Sequence, residues 1–153
     1  MFRAIFFVFI FTKTLLGESY NFTELRYSEA IDKSIKLQGN IGFLENGLTI
    51  FYPKGSRLLH YENNTLIYKE EGTEIELDEI RSTQIMSYFD ILILIHQEDE
   101  SSFNEIFSVS KNSKVTILKP INNIKNYIKN IELYKEEKRL KYIKLFLENN
   151  DSI

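Results

Sequence analysis

The sequence contains no cysteine, two histidines, two methionines and six glycines. Without cysteine, disulfides and thiolate metal sites are excluded. The two histidines, His60 and His96, fall in separate segments and form no H-E-x-x-H zinc motif. The glycines build neither a P-loop nor a G-x-G-x-x-G fingerprint, and no G-x-S-x-G nucleophile motif is present. Carboxylates are plentiful, but they sit at predicted turns and strand edges, so no acid–base pair stands out. We therefore expect no enzyme, no metal and no cofactor. There is no excess of positive charge either: 19 Lys and Arg stand against 22 Asp and Glu, a net charge of −3. That argues against a nucleic-acid binder, which needs a basic face. Lys125, Lys129, Lys135, Lys138, Arg139, Lys141 and Lys144 are interleaved with Glu132, Glu136 and Glu137, which reads as a solvated face of mixed sign.

Long hydrophobic runs are missing too. The longest, Ala4–Phe11, has eight residues, whereas a spanning helix needs about 20. This run opens the chain in MFRAIFFVFIFTKTLLGES. Arg3 precedes it, Leu15-Leu16 close it, and Gly17-Glu18-Ser19 puts small residues at −3 and −1 of a cut before Tyr20. That is the layout of a secretory signal. An uncleaved anchor and a core strand are the alternatives, the latter because Ile, Phe and Val favour strands. Position 18 is Glu rather than Cys, so no thiol is available for lipidation and the exported product should be soluble. Removal of residues 1–19 leaves about 134, residues 20–153, a length for one domain.

Residues 19–34 are polar and mixed, and read as a short helix or an irregular lead-in. A meander follows. IKLQGNIGFL (35–44) alternates, with Ile35, Leu37, Ile41 and Phe43 on one side. Asn46-Gly47 is a strong hairpin signal, and LTIFY (48–52) pairs back. Pro53-Lys54-Gly55 turns into RLLHY (57–61), Asn63-Asn64 into TLIYK (65–69), and Glu71-Gly72 into TEIELDE (73–79). Several of these strands carry apolar residues on both faces: Leu48, Ile50 and Tyr52 against Phe51, and Leu59 and Tyr61 against Leu58. A sheet wetted on one side does not require that. Either both faces are covered, or one lines an apolar cavity.

Residues 81–100 break the rhythm. Ile85, Met86, Phe89, Leu92 and Ile93 approach helical spacing, with Ser82 as N-cap and a stop before the acidic Glu98-Asp99-Glu100. The run ILILI also suits a buried strand, but the apolar span exceeds ordinary strand length, so a helix is expected. Strands resume at 103–110 and 114–120. Residues 121–136 suit either a helix or a strand, and 140–149 alternates, with Ile143, Leu145 and Leu147 opposite Tyr142 and Phe146.

The order of these segments resembles the outer-membrane lipoprotein carrier proteins, the LolA family. The resemblance rests on LQGNIGFLENGLTIFYPKGSRLLHYENNTLIYKEE, on Glu62–Tyr68 at the turn where the family has D-G-x-T-L, and on the apolar helical stretch 84–95. It extends to Thr116-Ile117-Leu118-Lys119-Pro120 and the final hairpin 131–147, so it covers about residues 35–150. Leu44-Glu45-Asn46 stands where the best-known members have Arg-Pro.

The resemblance implies a mainly β (α+β) fold: an open, curved antiparallel sheet, or incomplete barrel, with a helix over its concave face. It implies a monomeric periplasmic carrier that holds the acyl chains of lipoproteins in an apolar cavity. Its partners would be acylated lipoproteins, an inner-membrane release complex and an outer-membrane acceptor. Alignment and alternation nominate Phe51, Leu59, Tyr61 and Ile67, with Met86 and Phe89 from the helix, as cavity residues. A lipopolysaccharide-transport-type lipid binder built as a helix-free jellyroll is one rival. A structural or interaction protein of the envelope with a filled core is the other.

Overall fold

Strand signals dominate the chain, and the computed structural model, which describes residues 5–13, 19–28, 32–97, 100–137 and 139–147, is mainly β. Its elements are β1 (Ile5–Lys13), β2 (Ser19–Ser28), β3 (Lys33–Leu44), β4 (Gly47–Tyr52), β5 (Arg57–Glu62), β6 (Thr65–Glu70) and β7 (Thr73–Glu74). There follow α1 (Glu79–Gln97), α2 (Glu100–Ile106), β8 (Phe107–Lys111), β9 (Val115–Pro120), a 3₁₀ turn at Asn123–Asn126, β10 (Ile128–Glu136) and β11 (Arg139–Leu147). The described pairings are all antiparallel. No strand order closes into a barrel among the described residues. The expectation of one domain over 20–153 came from length. The contact pattern separates two compact units: Thr12–Phe22 with Leu37–Glu98, and Met1–Phe11 with Thr23–Lys36 and Asp99–Ile153. The division runs through β1, β2 and β3.

In the unit holding residues 37–98, strands follow the order β7-β6-β5-β4-β3, with the first part of β2 next to β3. The turns explain the hairpins. Asn63 and Asn64 both have positive φ (50° and 61°), as do Glu71 and Gly72 (49° and 81°), which suits the right-handed twist of the strands they join. Gly47 plays a different part from the one its Asn46-Gly47 pairing suggests. The turn residues are Glu45 and Asn46, and Gly47 opens β4 opposite Glu62. A Cβ there would lie 1.9 Å from the Tyr61 carbonyl oxygen, so glycine is required by close backbone approach. At Asp78 the carboxylate accepts the Arg81 N–H at 2.9 Å, making Asp78 the N-cap of α1 in place of Ser82. β7 ends after two residues rather than running on to 79, because only Thr73 and Glu74 pair with β6 and Ile75 adds one further bond to Tyr68.

The other unit is a meander in the order β1-β11-β10-β9-β8. Leu118, Ile131 and Leu145 are register neighbours, as are Leu133 and Ile143, and all five are buried on one face. On the opposite face Tyr134 stacks on Tyr142 at 5.0 Å, and the Lys144 ammonium sits over the Phe146 ring. Residues 103–106, expected as strand, end helix α2. Phe103 and Phe107 lie four apart, the spacing of one helical turn, and their rings meet edge to face at 6.5 Å. Residues 19–28, expected as helix or irregular, form β2. In its part within this unit, Glu24 is buried at 1 % exposure and bonded to the Arg26 guanidinium. The charge at this inward position masks the alternation. The ambiguous stretch resolves as a 3₁₀ turn followed by β10, and Ile35 is exposed rather than inward.

The described part of the expected export signal, Ile5–Lys13, is β1, paired with β11. Residues 14–18, next to the expected cut, lie outside the described residues.

Candidate functional site

Antiparallel register sorts the doubly apolar strands into two faces, because directly opposed residues share a face. One row joins Ile41, Ile50, Leu59 and Tyr68; the next joins Phe43, Leu48, Tyr61 and Leu66. Tyr52 continues this face, and the Phe22 ring lies edge-on to it at 5.6 Å. The same ring fills the space over Gly39, where a Cβ would come within 2.5 Å of it.

Helix α1 lies across these rows. Its Phe89 ring meets Tyr61 at 5.9 Å. Two turns further on, His96 stacks on Phe43, centroids 3.8 Å apart and planes within 5°. Tyr20 of β2 contacts both rings edge-on. Phe89, Ile91, Leu92 and Ile95 are buried, while Ile85, Met86, Ile93 and Leu94 stay half-buried, so α1 is apolar on more than one side. No helix among the described residues is long and apolar enough to cross a membrane.

A polar fastening joins helix to sheet. The Tyr61 hydroxyl donates to the Asp90 carboxylate at 2.7 Å and lies 3.2 Å from the Asn64 side-chain amide. Burial, and then the carboxylate that accepts its bond, push the Tyr61 hydroxyl from its ordinary 10 up to about 12. A raised value means that the folded chain holds this proton more tightly than the unfolded chain. Its contribution is complete below about pH 10 and lost as pH climbs toward 12. Tyr68, raised to about 12 by burial and then by Glu70, acts in the same direction. We expect Tyr61→Phe to lower stability by about 1 kcal/mol at pH 8, since exposed Asp90 regains water. It should also flatten the alkaline fall in thermal unfolding temperature; an unchanged alkaline profile would contradict the assignment.

The nominated cavity residues divide. Leu59 and Tyr61 share the face that α1 covers, Tyr61 meets Phe89 of that helix, and Met86 is half-buried on α1, one turn before Phe89. Phe51 and Ile67 do not join them. Phe51 opposes Leu58, and Ile67 opposes His60, on the other face of the sheet. The residues missed were Phe43, Leu48, Ile50, Asp90 and His96. Asp90 was visible as the one charge inside an otherwise apolar helical stretch, 85–95.

The helix covers the rows unevenly. Ile41, Leu48 and Ile50 are sealed, at 0–1 % exposure. Leu59, Leu66 and Tyr68 remain half-open on β5 and β6. On the opposite face, Thr49 Oγ1 lies 3.0 Å from His60 Nδ1, and His60 Nε2 lies 3.5 Å from Glu62. Thr49 and His60 are directly opposed across strands, and Glu62 is two residues from His60, so ordinary neighbour geometry accounts for the chain of contacts. Among the described residues no group of three acidic or histidine side chains gathers that could hold a metal. No protein-family model matches the chain, and no curated protein matches it.

Proposed function

We propose that this protein is a LolA-like carrier that holds the acyl chains of lipoproteins between α1 and the apolar face of the β3–β6 sheet. In this reading the sheet is the open, curved sheet of that family, and α1 is the helix over its concave face. The observation that carries the proposal is the partial cover. The mostly apolar stretch 85–95 of α1 is laid on an apolar face, yet Leu59, Leu66 and Tyr68 are left half-open beside it. Each methylene that enters such a seam gains about 0.8 kcal/mol, so a long chain is held without any catalytic group. The nineteen residues of α1 weigh against a helix-free jellyroll of the lipopolysaccharide-transport type. The half-open rows weigh against a filled structural core.

The carrier works in the periplasm, exported by residues 1–19 and passing its cargo from an inner-membrane release complex to an outer-membrane acceptor. Native mass spectrometry of the protein recovered from the periplasm tests both parts. A mass beginning near Tyr20 with a retained lipid or acylated peptide is the expected result. A processed protein that is empty and ignores added acylated peptide contradicts the carrier reading, and an unprocessed mass contradicts export.

A further inference from the structure

β1 is an interior strand, standing between β2 and β11 in the hydrogen-bonded order. Its pairing with β11 runs from Phe6 opposite Phe146 to Ile10 opposite Tyr142. The β11 edge it covers belongs to a well-packed strand, in which Ile143 and Leu145 are 1 % and 3 % exposed. The segment that fills this position, IFFVFIFTK, is also the segment that export processing would remove. An open interior position would leave a run of backbone N–H and C=O groups without partners. Such an open edge is a ready template for pairing with another extended chain.

We propose that the β11 edge is a strand-accepting site, which takes an extended, apolar, aromatic-rich polypeptide segment in the register held here by residues 6–10. In the processed protein the segment comes from the client polypeptide. That last step rests on the carrier reading; acceptance of a strand does not. Main-chain bonds supply the affinity, and alternate side chains supply the selection. In the register of β1, the residues opposite Leu145 and Ile143 are Phe7 and Phe9. Any strand in that register presents two side chains to the face that buries Ile143 and Leu145, and a charge at either position is excluded.

The test uses the full chain with a protease site inserted within residues 14–18, cut only after folding. It is then chased with a labelled peptide of residues 5–13 on a soluble carrier, and with the same peptide bearing Phe7→Asp and Phe9→Asp. The 1–13 fragment should stay bound without a covalent link and then exchange with the apolar peptide. The Asp peptide should bind at least about tenfold more weakly. Three results overturn the proposal: a fragment that leaves with neither peptide binding, a fragment that never exchanges, and equal binding of both peptides. The N-terminal mass of the protein from cells is read separately. An unprocessed chain overturns the export reading and the client's role, whatever the chase shows.

Discussion

Replacing Leu59 with glutamate is expected to abolish acyl-chain binding and leave the fold in place. Leu59 lies on β5 between Ile50 and Tyr68, on the face that α1 covers, and it is only half-buried. Its half-exposure lets a carboxylate reach water in the empty protein, so the strand survives. An acyl chain entering beside α1 meets that carboxylate and its water. If about four methylenes are kept out of contact, about 3 kcal/mol is lost, or roughly 150-fold in affinity. Phe51→Glu is the control. One residue along β4 from Ile50, it sits on the other face and should bind as the parent does. Titration with a fluorescent fatty acid, alongside circular dichroism, checks both. Equal loss in the two variants would contradict the assignment of faces.

Gly47→Ala should be strongly destabilising. The added methyl would lie 1.9 Å from the Tyr61 carbonyl oxygen, 2.8 Å from the Glu62 Cα and 2.9 Å from the Tyr61 carbonyl carbon. All three are backbone atoms of the paired strand, so no rotamer change relieves the clash. β4 and β5 must part locally, which breaks the ladder that sets Leu48 against Tyr61. Overpacking of this kind costs about 3 kcal/mol or more, a large share of an ordinary domain's stability. A fall of about 10 °C in unfolding temperature follows. Gly42→Ala is the matched control, because its Cβ meets nothing within 4 Å. A Gly47→Ala protein as stable as the parent would contradict this close packing of β4 on β5.

The hairpins of β4, β5 and β6 were legible because alternation and turn chemistry agreed there. Asn63-Asn64 and Glu71-Gly72 stand at two-residue turns with positive φ. The same Asn63-Asn64 turn carried a further message. A two-residue turn that pairs Glu62 with Thr65 must pair His60 with Ile67, which separates Ile67 from Leu59 and Tyr61. Phe51 follows from the same parity, since Tyr52 pairs with Arg57. Apolar character on both faces hid this, because alternation does not say which face a helix will cover. β2 was illegible for a different reason. The inward Glu24 pairs locally with Arg26, so a buried position carries a charge. The Tyr61–Asp90 bond joins residues far apart in the chain, and no local pattern announces it.

In the proposed carrier, acyl chains lie against the helix-covered face of the β3–β6 sheet. The most direct test is photo-crosslinking of the full chain with a diazirine fatty acid, followed by peptide mapping. Adducts at Leu59, Leu66, Met86 and Phe89 are the predicted result. Adducts gathered instead at Phe51, Leu58 and Ile67, or scattered over the surface, would contradict it.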